Sequence, residues 1–103
     1  MMITDFQKIA EPLIKGMFPS GSTVKRIDEC RGVVHLDFES DETTIRLSWE
    51  PFGPPWAQIT DTQGETEQIR IDPFKVDDVL VSLDMKTEME TKELLKVIEK
   101  RLK

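Results

Sequence analysis

The chain has one cysteine, one histidine and no tyrosine among its 103 residues. A lone thiol cannot close an internal disulfide, and no C-x-x-C or Cys/His spacing offers a zinc site. That usage points to a reducing compartment. No stretch comes near the ~18 consecutive apolar residues that a membrane-spanning helix needs. The opening residues, Met1-Met2-Ile3-Thr4-Asp5-Phe6, lack the basic start and apolar run of a secretory leader, so the expected location is cytoplasmic. Internal repeats and low-complexity tracts are missing. So are a Gly-rich phosphate loop, an H-E-x-x-H pair and a dinucleotide-binding fingerprint. Asp37-x-Glu39-x-Asp41 imitates the start of a calcium loop, but Glu42 stands where that loop needs Gly and Ser48 where it needs Glu. No cofactor and no metal are expected, and nothing in this inventory specifies an enzyme.

What is present fits one domain over residues 1–103, with room for a single core. Hydrophobic residues make up 38% and charged residues 33%, on the polar side of globular composition but patterned rather than disordered. The net charge of −6 is unevenly spread. Residues 28–78 hold thirteen acids against Arg31, Arg46, Arg70 and Lys75, while the segments on either side are slightly basic. Such a block repels nucleic acid and anionic membrane and favours a basic protein partner. The C-terminal cations Lys92, Lys96, Lys100, Arg101 and Lys103 are interrupted by Glu93 and Glu99 and have no aromatic neighbours for base stacking. They suit the negative end of a helix dipole instead.

The periodicity predicts an α+β fold. Ile3, Phe6, Ile9, Ala10, Leu13, Ile14 and Met17 form one stripe of an N-terminal helix, with Thr4 and Gln7 spaced as a capping box. Pro12 predicts a kink near Ala10 or a break. Alternation then takes over. Val34, Leu36 and Phe38 face one way and His35 and Asp37 the other; Ile45, Leu47 and Trp49 repeat the pattern against Arg46 and Ser48. Folding these runs with Phe38 opposite Ile45 sets Leu36 against Leu47, Val34 against Trp49, Asp37 against Arg46 and His35 against Ser48. A second hairpin around Thr62–Thr66 is read with Ile59 facing Ile69, Ala57 facing Ile71 and Gln58 beside Arg70. A weaker strand over Thr23–Glu29, turning at Arg31-Gly32, makes an antiparallel meander of about five strands. Residues 72–85 fit either a helix starting at Asp72-Pro73 or a sixth strand near 79–85. Thr87-x-x-Glu90 reads as the capping box of a final helix to Leu102, packed on one sheet face.

Three groups of side chains are candidate sites. The loop Trp49-Glu50-Pro51-Phe52-Gly53-Pro54-Pro55-Trp56 is stiffened by three prolines, with Gly53-Pro54 and Pro54-Pro55 open to a cis bond. It presents Phe52 and Trp56 at low entropic cost, as a protein-recognition anchor requires. The acids Asp41, Glu42, Asp61 and Glu65 fall at hairpin tips, where they would meet a basic partner. On the polar sheet face, His35, Arg46 and Arg70 offer an alternative anion or small-molecule site. A triad of Ser48, His35 and Asp37 is not supported, because Asp37 has Arg46 as a better partner. Cys30 reads as an ordinary half-buried thiol. The leading expectation is an acidic protein-binding module of the inhibitor, immunity or adaptor kind. The alternatives are a small-molecule or anion-binding, even enzymatic, use of that face, and a structural subunit of a homo-oligomer that assembles, as a homodimer for example, through an exposed strand edge or the final helix.

Overall fold

A computed structural model describes residues 5–19, 23–51, 53–74 and 83–102. Helix α1 spans Phe6–Met17, and five strands follow: β1 Lys25–Asp28, β2 Val34–Ser40, β3 Thr43–Trp49, β4 Trp56–Thr60 and β5 Thr66–Arg70. Helix α2, Leu83–Leu102, closes the order. The strands form one antiparallel sheet in chain order, β1-β2-β3-β4-β5.

The β2–β3 pairing is the one predicted, with Phe38 opposite Ile45, Leu36 opposite Leu47, Val34 opposite Trp49, Asp37 opposite Arg46 and His35 opposite Ser48. On the apolar side Leu36, Ile45, Leu47 and Ala57 are wholly buried. Both helices lie over that side. Phe6 of α1 stacks on Trp49 with ring centroids 6.2 Å apart, and Phe18, just beyond α1, meets Phe38 at 5.4 Å. Leu94, Leu95 and Ile98 of α2 complete the core, with α2 packed against α1 and β5.

The β4–β5 register differs from expectation. Ala57 pairs with Ile69, Ile59 with Glu67, Gln58 with Gln68 and Trp56 with Arg70. The slip is two residues, so every side chain keeps its face. Turn chemistry decides it. The Asp61 carboxylate accepts hydrogen bonds from the Gln63 and Glu65 amides at 2.8 and 3.0 Å, and Gly64 takes the left-handed φ of 83° that closes the turn.

Three end signals also resolve differently. Asp5, not a Thr4–Gln7 box, caps α1, its carboxylate accepting from the Lys8 amide at 3.3 Å. Thr4 lies outside the described residues. Pro12 does not break α1; it sits on the exposed side, where water can satisfy the Lys8 carbonyl that proline leaves without a donor. Helix α2 begins a turn before Thr87, with Asp84 in its first turn, so Thr87 and Glu90 are buried inside the helix rather than at its cap. Leu83 and Met85 are therefore helical and not in a sixth strand, while residues 75–82 lie outside the described residues. Asp72–Phe74 is irregular, and the buried Glu90 carboxylate accepts from the Phe74 amide at 3.0 Å, tying this connector to α2.

Leu47 sits in the central strand, between Leu36 and Ala57 on the core face. Leu47→Ala is expected to cost about 2–5 kcal/mol, read from the urea midpoint at unchanged slope.

Candidate functional site: the uncovered sheet face

Among the described residues no helix crosses the second face of the sheet. Register and alternation lay its side chains out in rows. One row runs Ile27, His35, Ser48, Trp56, Arg70 across all five strands. The next runs Lys25, Asp37, Arg46, Gln58, Gln68.

The first row is tied together by specific contacts. His35 Nδ1 and Ser48 Oγ share a hydrogen bond of 2.7 Å, and both residues are buried. His35 Nε2 comes within 3.0 Å of Glu29 Oε1 but off the angle of a hydrogen bond, so this nitrogen has no true partner. Trp56 is half-buried, and the Arg70 guanidinium carbon lies over its ring at 5.5 Å from the centroid. In the second row Arg46 holds Asp37 with two parallel bonds, Nε to Oδ1 at 2.7 Å and Nη2 to Oδ2 at 2.9 Å. The Asp37 carboxylate raises the guanidinium pKa further above its ordinary value.

These contacts bear on the anion-site alternative. His35, Arg46 and Arg70 are each engaged by a side chain of their own. They also bear on hydrolytic chemistry. Ser48, His35 and Glu29 do run hydroxyl, imidazole, carboxylate in space, but Ser48 is only 2% exposed. A substrate carbonyl cannot reach that hydroxyl, which serves as a buried hydrogen-bond partner. Glu29 is the member that the sequence reading missed. Its amide donates to the Val33 carbonyl at 2.8 Å, which extends the β1–β2 ladder one pair and brings it beside His35.

The turns of a meander alternate between the two ends of the sheet. Trp49 through Trp56 closes β3 to β4 at the same end as the Cys30–Gly32 turn. A Cβ on Gly32, whose φ is 79°, would sit 3.4 Å from Pro51, so the two turns pack together there. Within this loop Pro55 and Trp49 are buried, Trp56 opens onto the uncovered face, and Phe52 lies outside the described residues. None of the described peptide bonds is cis, so Gly53-Pro54 and Pro54-Pro55 are both trans. Cys30 is exposed rather than half-buried, because its 3-10 turn stands off the end of the sheet and clear of the core.

The acids occupy the other end. Asp41 and Glu42 form the two-residue β2–β3 turn with φ of 49° and 67°, a left-handed pair that matches hairpin twist. Asp61 and Glu65 flank the neighbouring β4–β5 turn. Acidic tips and aromatic loop are thus one strand length apart, about 17 Å for five residues. Beside the tips, Glu67 pairs with Arg101 of α2, which holds the Glu67 carboxyl below its ordinary pKa through hydrogen bonding and then charge.

Compared with protein-family models, curated proteins and solved structures, the chain matches none.

Ser48→Ala strands the buried Nδ1 of His35 and is expected to cost about 1–3 kcal/mol in chemical unfolding. Arg101→Ala should move the Glu67 carboxyl titration upward toward the ordinary range, followed by NMR. The sign follows from the lowered folded-state pKa. Stabilisation by this pair is present above the unfolded carboxylate pKa and lost as pH falls through the folded one, and the variant should lack that acid-side loss.

Proposed function

We propose that this protein is a small acidic protein-binding module that engages a basic partner along the uncovered sheet face, in a cytoplasmic setting. The observation that carries the reading is the placement of the helices. With both on one side, the other side presents Trp56 at one end and Asp41, Glu42, Asp61 and Glu65 at the other. A partner lying along the strands meets both. Trp56 supplies a large, partly exposed ring on a rigid strand start, the kind of side chain on which binding energy concentrates. The acids supply attraction at longer range, which raises the association rate and makes it sensitive to salt. The anion-binding alternative has less support, because Asp37 engages Arg46, the Trp56 ring lies under Arg70, and Ser48 takes one ring nitrogen of His35.

Capture from the native host tests the proposal. One basic protein should be retained at low ionic strength and released at high. Trp56→Ala should weaken its binding by about tenfold or more, while Asp41→Lys with Glu42→Lys should chiefly slow association. A partner whose binding ignores salt and both variants would contradict the reading.

A further inference from the structure

The outer edge of β1 is charged in a pattern that complements itself. Strand β1 lies at one margin of the sheet, and among the described residues no strand pairs with its outer side. The Glu29 amide points inward, to Val33. Backbone groups alternate along an antiparallel strand, so Lys25 and Ile27 also bond inward to β2, and the N–H and C=O groups of Arg26 and Asp28 point outward. An edge of this kind is a template for another strand.

We propose that two copies of this chain join through their β1 edges, antiparallel about a two-fold axis at Ile27. The symmetry restricts the choice. Residues directly opposite must share a sheet face, so only registers of equal parity are allowed. Centring on Lys25, Arg26 or Asp28 sets that charge against its own copy. Centring on Ile27 sets Arg26 against Asp28 and Lys25 against Glu29, each twice, and places Ile27 against Ile27. Opposite charges directly across a strand pair stabilise it, and like charges oppose it. The backbone agrees with the charges. Arg26 and Asp28, whose polar groups point outward, become the hydrogen-bonded pairs, and Ile27 takes the closer non-hydrogen-bonded position on the axis.

The side chains already have partners within one copy. Arg26 Nη1 bonds Gln7 at 3.2 Å and Asp5 at 3.5 Å at the start of α1, and Glu29, 56% exposed, lies beside His35, so the exchange uses the remaining Arg26 Nε contact and the exposed carboxylates. Within one copy Arg26 Nε reaches Asp28 Oδ1 at 2.8 Å along the same edge, and the Asp28 side chain is 63% exposed. Pairing two copies lets each Arg26 turn to the Asp28 facing it. The opposite margin offers no such match. On β5 the charges are Glu67 and Arg70, which differ in parity and cannot face each other, and Glu67 is already held by Arg101. Joining at β1 makes a continuous ten-stranded sheet and leaves the Trp56 face open on both copies. A four-residue edge buries little area, so the association is weak and concentration-dependent.

Sedimentation of the full chain from about 10 μM to about 1 mM spans that range of affinity. A monomer–dimer equilibrium is expected. Asp28→Arg should weaken it by about tenfold or more, because two arginines then face each other twice. The double exchange Arg26→Asp with Asp28→Arg should restore it. A monomer at every concentration, a dimer indifferent to Asp28→Arg, or a double exchange as weak as the single variant would each overturn the proposal. A cysteine pair reads the register independently of charge. In a Cys30→Ser background, Ile27→Cys places two thiols at Cα positions about 4.5 Å apart, within disulfide range. Mild oxidation should then link the copies much faster than it links Thr23→Cys in the same background, an exposed uncharged position on the same face but far from the axis, and equal rates would overturn the register.

Discussion

The pairing of Leu36 with Leu47 in the middle of the sheet is the constraint on which the remaining structure depends. Side chains alternate across a strand with a period of two, so a slip of one residue would carry Val34, Leu36 and Phe38 to the solvent face. It would also bring His35 and Asp37 beneath the helices, where neither Ser48 nor Arg46 would stand opposite. With the register set, one face is apolar enough to bury Phe6, Ile14, Leu94 and Ile98 against it. The other face is left with pairs that satisfy each other. Burial on one side and polarity on the other are two results of the same choice.

Connectivity then separates the chemistry along the strands. A meander returns at alternate ends, so the acids of the β2–β3 and β4–β5 turns share one end while the prolines and Trp56 share the other. The uncovered face between them is lined by groups with their own partners: Arg46 on Asp37, Arg70 over Trp56, His35 on Ser48. The proposed contact with a broad surface, over capture of a small anion, rests on this arrangement, because an anion at Arg46 or Arg70 would have to displace an existing carboxylate or ring.

Local pattern made the fold class, the succession of helix, antiparallel hairpins and helix, and the central register readable from residues alone, because both apolar and charged positions pointed to one pairing. The order of the strands across the sheet came from the structure. Where only one kind of information acted, the reading slipped. For β4 and β5, registers two residues apart keep Ile59 and Ile69 on the core face, so apolarity could not choose between them. The Asp61 carboxylate and Gly64 did, through the turn. Thr87 and Glu90 carried the spacing of a cap, yet the helix-forming run from Leu83 continued the helix past them, and burial of Glu90 is explained by the Phe74 amide sixteen residues away. Glu29 beside His35 was hidden for a related reason: its position follows from extending the β1 ladder through a short, weakly alternating strand. Trp56 was placed on the polar face from parity with Ala57 and Ile59, and that holds.

The central register is open to direct measurement by NMR. In the pairing described, His35–Ser48 and Asp37–Arg46 are the non-hydrogen-bonded pairs, whose Hα atoms approach closely across the strands. Strong Hα–Hα cross-peaks between these two pairs are the result the account predicts. Cross-peaks from His35 to Leu47 or Trp49 instead would contradict it, and with it the division of the sheet into a face beneath the helices and a polar face that no helix crosses among the described residues.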